Sequence, residues 1–355
     1  MIPEQPSYFE IGIYSLGDIG PNPITGTTTS APERLQQLLD MAKWTDEAGL
    51  DVFGVGEHHR SDYVTSSPAV VLAAIARETE NIRLISTTSV LSTLDPIRLY
   101  QDFATLDLLS HGRAEIIAGR GAFTESFPLF GYQLADYDAL FEEHFTLLQK
   151  VNAEDRVSWN GHFRKSFPEM EIAPRALQKE IPLWVGVGGT PESAVRAGTF
   201  GAGVTLVLLG GMPERFAPLA NLYRRAFEEA GHDKKQQKVA IAGHAFLAPN
   251  AKQARDEFFP YHANYWQYVN RQRGYSSRMT RQDFDQMAHP DTALFVGSPD
   301  EIVEKIHRQY ELFGHTRFLA QVDIGGQPSD TIQRSIELLG THVAPKVRKL
   351  IHFRE

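Results

Sequence analysis

A carboxylate and two imidazoles stand together at Glu57-His58-His59, directly after the short apolar run that ends in Gly54-Val55-Gly56. At neutral pH a carboxylate is charged, while an imidazole gives or takes a proton, so the trio is a candidate reaction centre. Three chemistries fit it. His and Glu are common zinc ligands. Adjacent residues on a strand point to opposite faces, however, so only Glu57 and His59 share a direction, and no His-x-His pair completes a ligand set. His58 is the candidate for acid–base or electrostatic work. The third reading is a salt-bridged, structural Glu–His cluster.

Other apolar runs end in comparable ways, at Thr87-Thr88-Ser89, at Gly119-Arg120-Gly121 and at Gly186-Val187-Gly188-Gly189-Thr190. Gly188 and Gly189 let backbone N–H groups approach a ligand closely. Thr190 precedes a helix opening at Pro191, whose free N–H groups and positive dipole end favour an anion. Arg120 can offer a forked, charged donor to the same phosphate. The alternative is that Gly-Gly-Thr-Pro is only a tight turn. His244, inside a later apolar run, either faces a lumen or is a packed core histidine. Nucleophilic hydrolysis has no carrier: there is no Gly-x-Ser-x-Gly elbow, no cysteine and no carboxylate pair at clear strand ends.

The elements that position these residues alternate in type. Strands are predicted at Ile11–Leu16, Val52–Val55, Ile82–Leu91, Ala114–Ala118, Leu183–Val187, Val204–Leu209, Val239–Ala248 and Arg317–Val322, several of them nearly continuous Val/Ile/Leu. Between them lie amphipathic helices, with Leu35, Leu38, Leu39 and Ala42 on one face, then Leu99, Phe103, Leu106 and Leu109, then Leu140, Phe141, Phe145 and Leu148. Ser67-Pro68, Asp95-Pro96, Thr190-Pro191 and Ser298-Pro299 each read as N-cap then first helical residue. Ser30 and Ser298 precede Glu33 and Glu301 at the capping-box spacing. Eight strand–helix units predict a (β/α)8 TIM barrel, and the dinucleotide fingerprint of a doubly wound sheet is missing. One domain spanning 1–355 is expected, carrying an insertion at 250–296 between the seventh and eighth strands. A turn or small hairpin is expected around Trp159-Asn160-Gly161-His162. The insertion holds Phe258, Phe259, Tyr261, Tyr265, Trp266 and Tyr268, which suit a lid, a long seventh helix or a subunit interface.

Composition narrows the partners. A formal charge of -9 and the absence of a dense Lys/Arg stripe argue against nucleic acid; Lys234-Lys235 and Arg271 to Arg273 read as solvated surface. No run suits a membrane span, the first six residues show no signal-peptide pattern, and the lack of cysteine fits a cytoplasmic protein.

Together with Asp95-Pro96-Ile97-Arg98, Leu108-Leu109-Ser110-His111-Gly112-Arg113, Phe130-Gly131-Tyr132 and Val185 to Ser193, the strand endings form an ordered set. That set resembles the bacterial luciferase-like flavin monooxygenases. The resemblance implies FMN at the barrel mouth, its reduced form supplied as co-substrate by a separate flavin reductase. With O2 it oxidises a small organic substrate, in a homodimer paired through helices two and three. It makes His58 the active-site histidine, with Glu57 beside it. It puts Thr88 and Ser89 where relatives carry a non-proline cis peptide against the flavin ring, and Gly119 and Arg120 at the flavin side of strand four. Gly188, Gly189 and Thr190 fall on the phosphate turn, and Tyr137 becomes a ring or ribityl contact. Gly119 stands where the light-emitting enzymes carry cysteine. Deazaflavin-dependent hydride-transfer enzymes share the barrel, and a non-catalytic flavin-binding protein is the third possibility.

Overall fold

A computed structural model describes residues 8–272, 276 and 278–351; Arg273 and the first six residues, singled out above, lie outside the described residues. Its strands are β1 (Glu10–Ser15), β2 (Val52–Val55), β3 (Arg83–Val90) and β4 (Ala114–Gly119). The antiparallel hairpin β5 (Arg156–Trp159) and β6 (Phe167–Glu171) follows. Then come β7 (Leu183–Val187), β8 (Gly203–Val207), β9 (Val239–Leu247), the short β10 (Phe295–Gly297) and β11 (Arg317–Gln321). Eight of these pair in parallel in the order β1-β2-β3-β4-β7-β8-β9-β11, and β11 returns to β1. The chain is a closed TIM barrel, as the alternation of runs predicts. The hairpin occupies the stretch where a turn was expected. β10 was not foreseen; it extends the far half of β9, with Phe295 opposite Ala245.

Helices surround the barrel. The first three connections carry α1 (Ala31–Glu47), α2 (Pro68–Glu78) and α3 (Pro96–Leu109). α4 (Ser126–Phe130) and α5 (Tyr137–Ala153) follow β4, α6 (Pro191–Thr199) follows β7, and α7 (Ala217–Glu229) follows β8. The described part of 250–296 holds α8 (Ala251–Gln272) and α9 (Arg281–Met287). After it come α10 (Pro299–Phe313), α11 (Ser329–Leu338) and α12 (Ala344–Leu350). Capping boxes form at Ser30/Glu33 and Ser298/Glu301, and Asp95 accepts from Ile97 and Arg98 N–H. Ser67 and Thr190 hold the N-cap position without a side-chain cap bond. Leu109 departs from its expected face: it sits in the last turn of α3, where the stripe rotates off the barrel, and is exposed. No helix among the described residues is long and apolar enough to cross a membrane.

The lumen is filled by alternate strand residues, including Tyr14, Val52, Ile85, Ile117, Trp184 and Leu319. Its N-terminal end is closed by charge. Glu115 accepts from Trp184 Nε1 at 2.9 Å and pairs with Arg317 at 2.7 Å and Arg83 at 3.1 Å. Against the cost of burial, these cations pull its carboxyl down to about 2. Such a network at the bottom of a barrel serves stability, leaving the opposite mouth for chemistry. Over that mouth lies α8, whose aromatics pack with Phe246 of β9 and Phe284 of α9.

Candidate active site

Just beyond the end of β2 the trio divides by what each side chain touches. Glu57 is buried; its carboxylate accepts from Val90 N–H at 2.8 Å and pairs with His59 Nε2 at 2.7 Å. These contacts fasten the β2 loop to the end of β3. His58, like Glu57, borders a cavity, and its backbone N–H donates to Thr65 O at 2.9 Å. Its ring lies 4.1 Å from the Tyr63 ring centroid and 5.3 Å from that of Phe123. Burial, aided by the Arg60 and His59 charges, pushes its pKa from 6.5 down to about 3. The ring is therefore neutral at ordinary pH, with one nitrogen to donate and one to accept.

The end of β3 is shaped by glycines on its neighbours. The Thr87–Thr88 peptide is cis, and the ladder to β4 shifts by one residue there. A Cβ on Gly54 would lie 2.5 Å from Thr87 Cγ2, and one on Gly56 would lie 2.8 Å from Thr87 O. A Cβ on Gly119 would strike Thr88 Oγ1 and stand 2.9 Å from Thr88 Cβ; one on Gly186 would come within 2.7 Å of Thr88 Cγ2. The glycines of Gly-Val-Gly-Glu and of the β4 and β7 ends thus seat the two threonines. Thr87 and Thr88 face the cavity, whereas Ser89 is buried outside its wall. Gly119→Ala should lower stability by about 1–3 kcal/mol, the usual cost of overpacking. Adding Thr88→Ala, which removes the nearest atom, should restore part of the loss. Thermal melts of the single and double variants decide; equal Tm values for Gly119→Ala and the parent would contradict the contact.

A second group gathers at the rim. Arg120 forms an ion pair with Asp138, donates to Ser193 Oγ at 2.7 Å and lies 4.7 Å from the Tyr137 ring centroid. Tyr137 opens α5, and its hydroxyl donates to Gly121 O at 2.9 Å. Ser193 lies in the first turn of α6, so Arg120 does reach the helix that Thr190 begins. Gly188, Gly189 and Thr190 are exposed, and Gly189 has φ +123°, open only to glycine. A Cβ on either glycine would meet nothing within 4 Å, leaving that backbone open to a ligand. Glu57, His58 and Thr88 therefore share one cavity. Arg120, Tyr137 and the Gly188–Thr190 turn surround the start of α6. The two groups are joined by the segment after Gly119, because Gly121 and Ala122 also line the cavity.

The cavity measures about 190 Å³. Tyr14, Leu16, Ile117 and Leu319 form its apolar floor and walls, and Trp266 and Val269 of α8 cover it. Sequence reasoning left His244 undecided; it faces this lumen. Thr205 and Gln321 also line the cavity and were not foreseen. Gln321 had a signal: it falls two residues after Leu319, on the lumen-facing phase of an apolar strand. Also unforeseen is a buried cluster beside the mouth, where Arg34 pairs with Asp323 and approaches Asp18 at 4.0 Å. Tyr268 of α8 donates to Asp18 at 2.5 Å, and Gly325 N–H does so at 3.1 Å, tying the cover to the barrel. Burial and the nearby Asp323 outweigh Arg34 and raise the Asp18 carboxyl to about 6.

Residues 9–317 match the family model described as luciferase-like monooxygenase. Among characterised relatives, the chain is 26% identical over 328 residues to 4-hydroxyprotoasukamycin monooxygenase of Streptomyces nodosus subsp. asukaensis, covering 87% of this chain and 85% of that one. It is 23% identical over 305 residues to the oxygenase component of the flavin-dependent trigonelline monooxygenase of Acinetobacter baylyi, covering 81% and 83%. A monooxygenase structure from Streptomyces bottropensis superimposes with a TM-score of 0.81 at 27% identity, over 95% of this chain and 99% of that one.

Proposed function

The chain belongs to the luciferase-like monooxygenase family, and on that premise we propose that it oxidises a small organic substrate with O2 and reduced FMN received from a separate reductase. The observation that carries the reading is the apolar cavity, with neutral His58 and Thr88 on its wall and the Arg120–α6 rim beside it. A flavin phosphate is a flat ring with a polar edge and a distant dianion. The residues fit such a group. Apolar walls suit the ring, and the buried Thr87 Oγ1, which has no partner among the described residues, suits its edge. The open backbone of Gly188 and Gly189 at a helix start suits the phosphate.

When bound, reduced FMN supplies the electrons that activate O2. The protein's part is to bind, orient and keep out water. Arg120 and the Gly188–Thr190 turn would hold the phosphate, and Tyr137 would contact the ribityl chain or the ring. Thr88, kept in place by Gly119 and Gly186, would bear on the ring from the cavity wall, with Ser89 buried behind it. His58 offers a hydrogen bond to the reacting groups without adding charge, while Glu57 fixes the loop that carries it. The cover by α8 excludes water, which strengthens every polar contact inside. Two copies pair through α2 and α3, where Val70, Leu108 and Leu109 are exposed; sedimentation of a charged Val70→Glu variant tests this.

Fluorescence titration with oxidised and reduced FMN tests the reading, followed by O2 uptake with a flavin reductase present. Micromolar binding of reduced FMN is expected. Uptake of neither form ends the proposal. Tight binding of a deazaflavin without any FMN response replaces it by hydride transfer, and bound flavin with no coupled O2 consumption for any substrate leaves only a binding protein. Arg120→Ala should weaken FMN about tenfold, as loss of one charged hydrogen-bonding partner does. Riboflavin, which lacks the phosphate, should change little; equal effects on both would exclude a phosphate contact.

A further inference from the structure

The wall of the cavity opposite β3 and β4 has a chemistry of its own. In the strand order, β9 lies across the barrel from β3, and β11 across from β4. His244 and Gln321 are register partners on β9 and β11 and both face the cavity. Thr205 joins them from β8. Each is almost wholly buried. Both ring nitrogens of His244, both amide atoms of Gln321 and the hydroxyl of Thr205 find no hydrogen-bond partner among the described residues. Buried polar atoms in native proteins are nearly always paired, so an orphaned group lining a cavity implies a partner that enters it.

Charge narrows that partner. Burial holds His244 neutral, its pKa pushed down to about 3. Among the described residues lining the cavity, only Glu57 is an acid, already engaged by Val90 N–H and His59, and none is Lys or Arg. A carboxylate or phosphate on the substrate would enter without a counter-charge, at high cost. Trp266 gives its N–H to His262 Nε2 at 3.1 Å, so it offers the cavity ring surface. Beside it stand Val269 and Leu319.

We infer that His244, Gln321 and Thr205 form the substrate-recognition subsite, and that the substrate is an uncharged molecule carrying a hydroxyl or carbonyl on an apolar frame. Its oxygen sits between the β9 and β11 side chains and its frame lies against Trp266, facing the Thr88 wall. The subsite belongs to the reaction chamber proposed above and rests on that reading. Gln321 and His244 are thereby specificity determinants, while flavin binding depends on the opposite wall and the rim.

Three probes with one skeleton test this: 2-naphthol, naphthalene and 2-naphthoate, measured by equilibrium dialysis against the full chain with and without FMN. 2-Naphthol should bind at least about tenfold more tightly than the other two. Gln321→Leu and, independently, His244→Phe should each bring 2-naphthol to the level of naphthalene. Naphthalene retention and FMN affinity should both stay within about twofold, which also shows that the variants are folded. Equal binding of the three probes, or a preference that survives both substitutions, overturns the inference. So does a parallel loss of FMN affinity, which would give the pair to the cofactor. If instead the parent binds no flavin yet shows a 2-naphthol preference that both variants abolish, the subsite stands and the flavin reading falls.

Discussion

His58→Ala should reduce substrate oxidation about 10²- to 10⁴-fold, the range of a positioned proton donor or acceptor, while FMN affinity stays within about threefold. The contrast follows from how the β2 end is built. The contacts that fix the loop, Glu57 to Val90 N–H and Glu57 to His59, do not involve the His58 ring. Its removal leaves the phosphate rim untouched and opens space in the cavity beside Tyr63 and Phe123. His58→Gln, which keeps a donor and an acceptor, should recover part of the rate. A second consequence is a missing one. With its pKa near 3, the imidazole does not titrate between about pH 5 and 8, so the rate profile of the parent should carry no limb that His58→Gln abolishes. Single-turnover oxidation alongside flavin titration separates the two effects. Equal losses in binding and rate would take His58 out of the chemistry.

The barrel was legible because parallel strands covered on both faces read as unbroken apolar runs, and all eight runs became strands with no end displaced by more than two residues. The largest displacement is at Leu208-Leu209, where the ladder of β8 stops before the apolar run does. β10 was not legible, since three residues have no period and its partner is the far half of β9. Nor was the burial of Arg34. On α1 it takes a core position that a hydrophobic pattern assigns to its neighbour Leu35, and partners distant in sequence, Asp323 289 residues away and Asp18, make that tolerable. In the site, Glu57 and His59 form the pair that their two-residue spacing already allowed, and the His58 ring stays out of it. The juxtaposition of His244 with Gln321 is a matter of register between two strands, which no local pattern encodes. Gly188 and Gly189 keep the open backbone that their composition suggested, but that Gly54, Gly56, Gly119 and Gly186 make room for two threonines was not legible.

Acidification should weaken the fold through histidines that folding keeps neutral. His58, His244 and His315 are each pushed from 6.5 down to about 3 by burial, and His262 moves in the same direction. Between those values the unfolded chain binds protons that the folded chain refuses, so stability is fully present above about pH 6.5 and falls as pH drops. From pH 7 to pH 5 each of the first three groups costs about 2 kcal/mol. Asp18 works against them. Its carboxyl is raised to about 6, so the folded chain takes up that proton first and returns about 1 kcal/mol over the same interval. The net loss is about 4–5 kcal/mol before His262 is counted, a large share of the roughly 5–15 kcal/mol that holds a domain together. Glu115, held down to about 2 by Arg317 and Arg83, adds its loss only below about pH 4.5. Urea unfolding at pH 7 and pH 5 measures the difference. His315→Leu gives the internal check: it lies among Phe9, Tyr310 and Phe313, away from the cavity, and it should shrink the pH-dependent loss by about 2 kcal/mol. A free energy of unfolding that stays level between the two pH values would show that these imidazoles titrate freely in the folded chain.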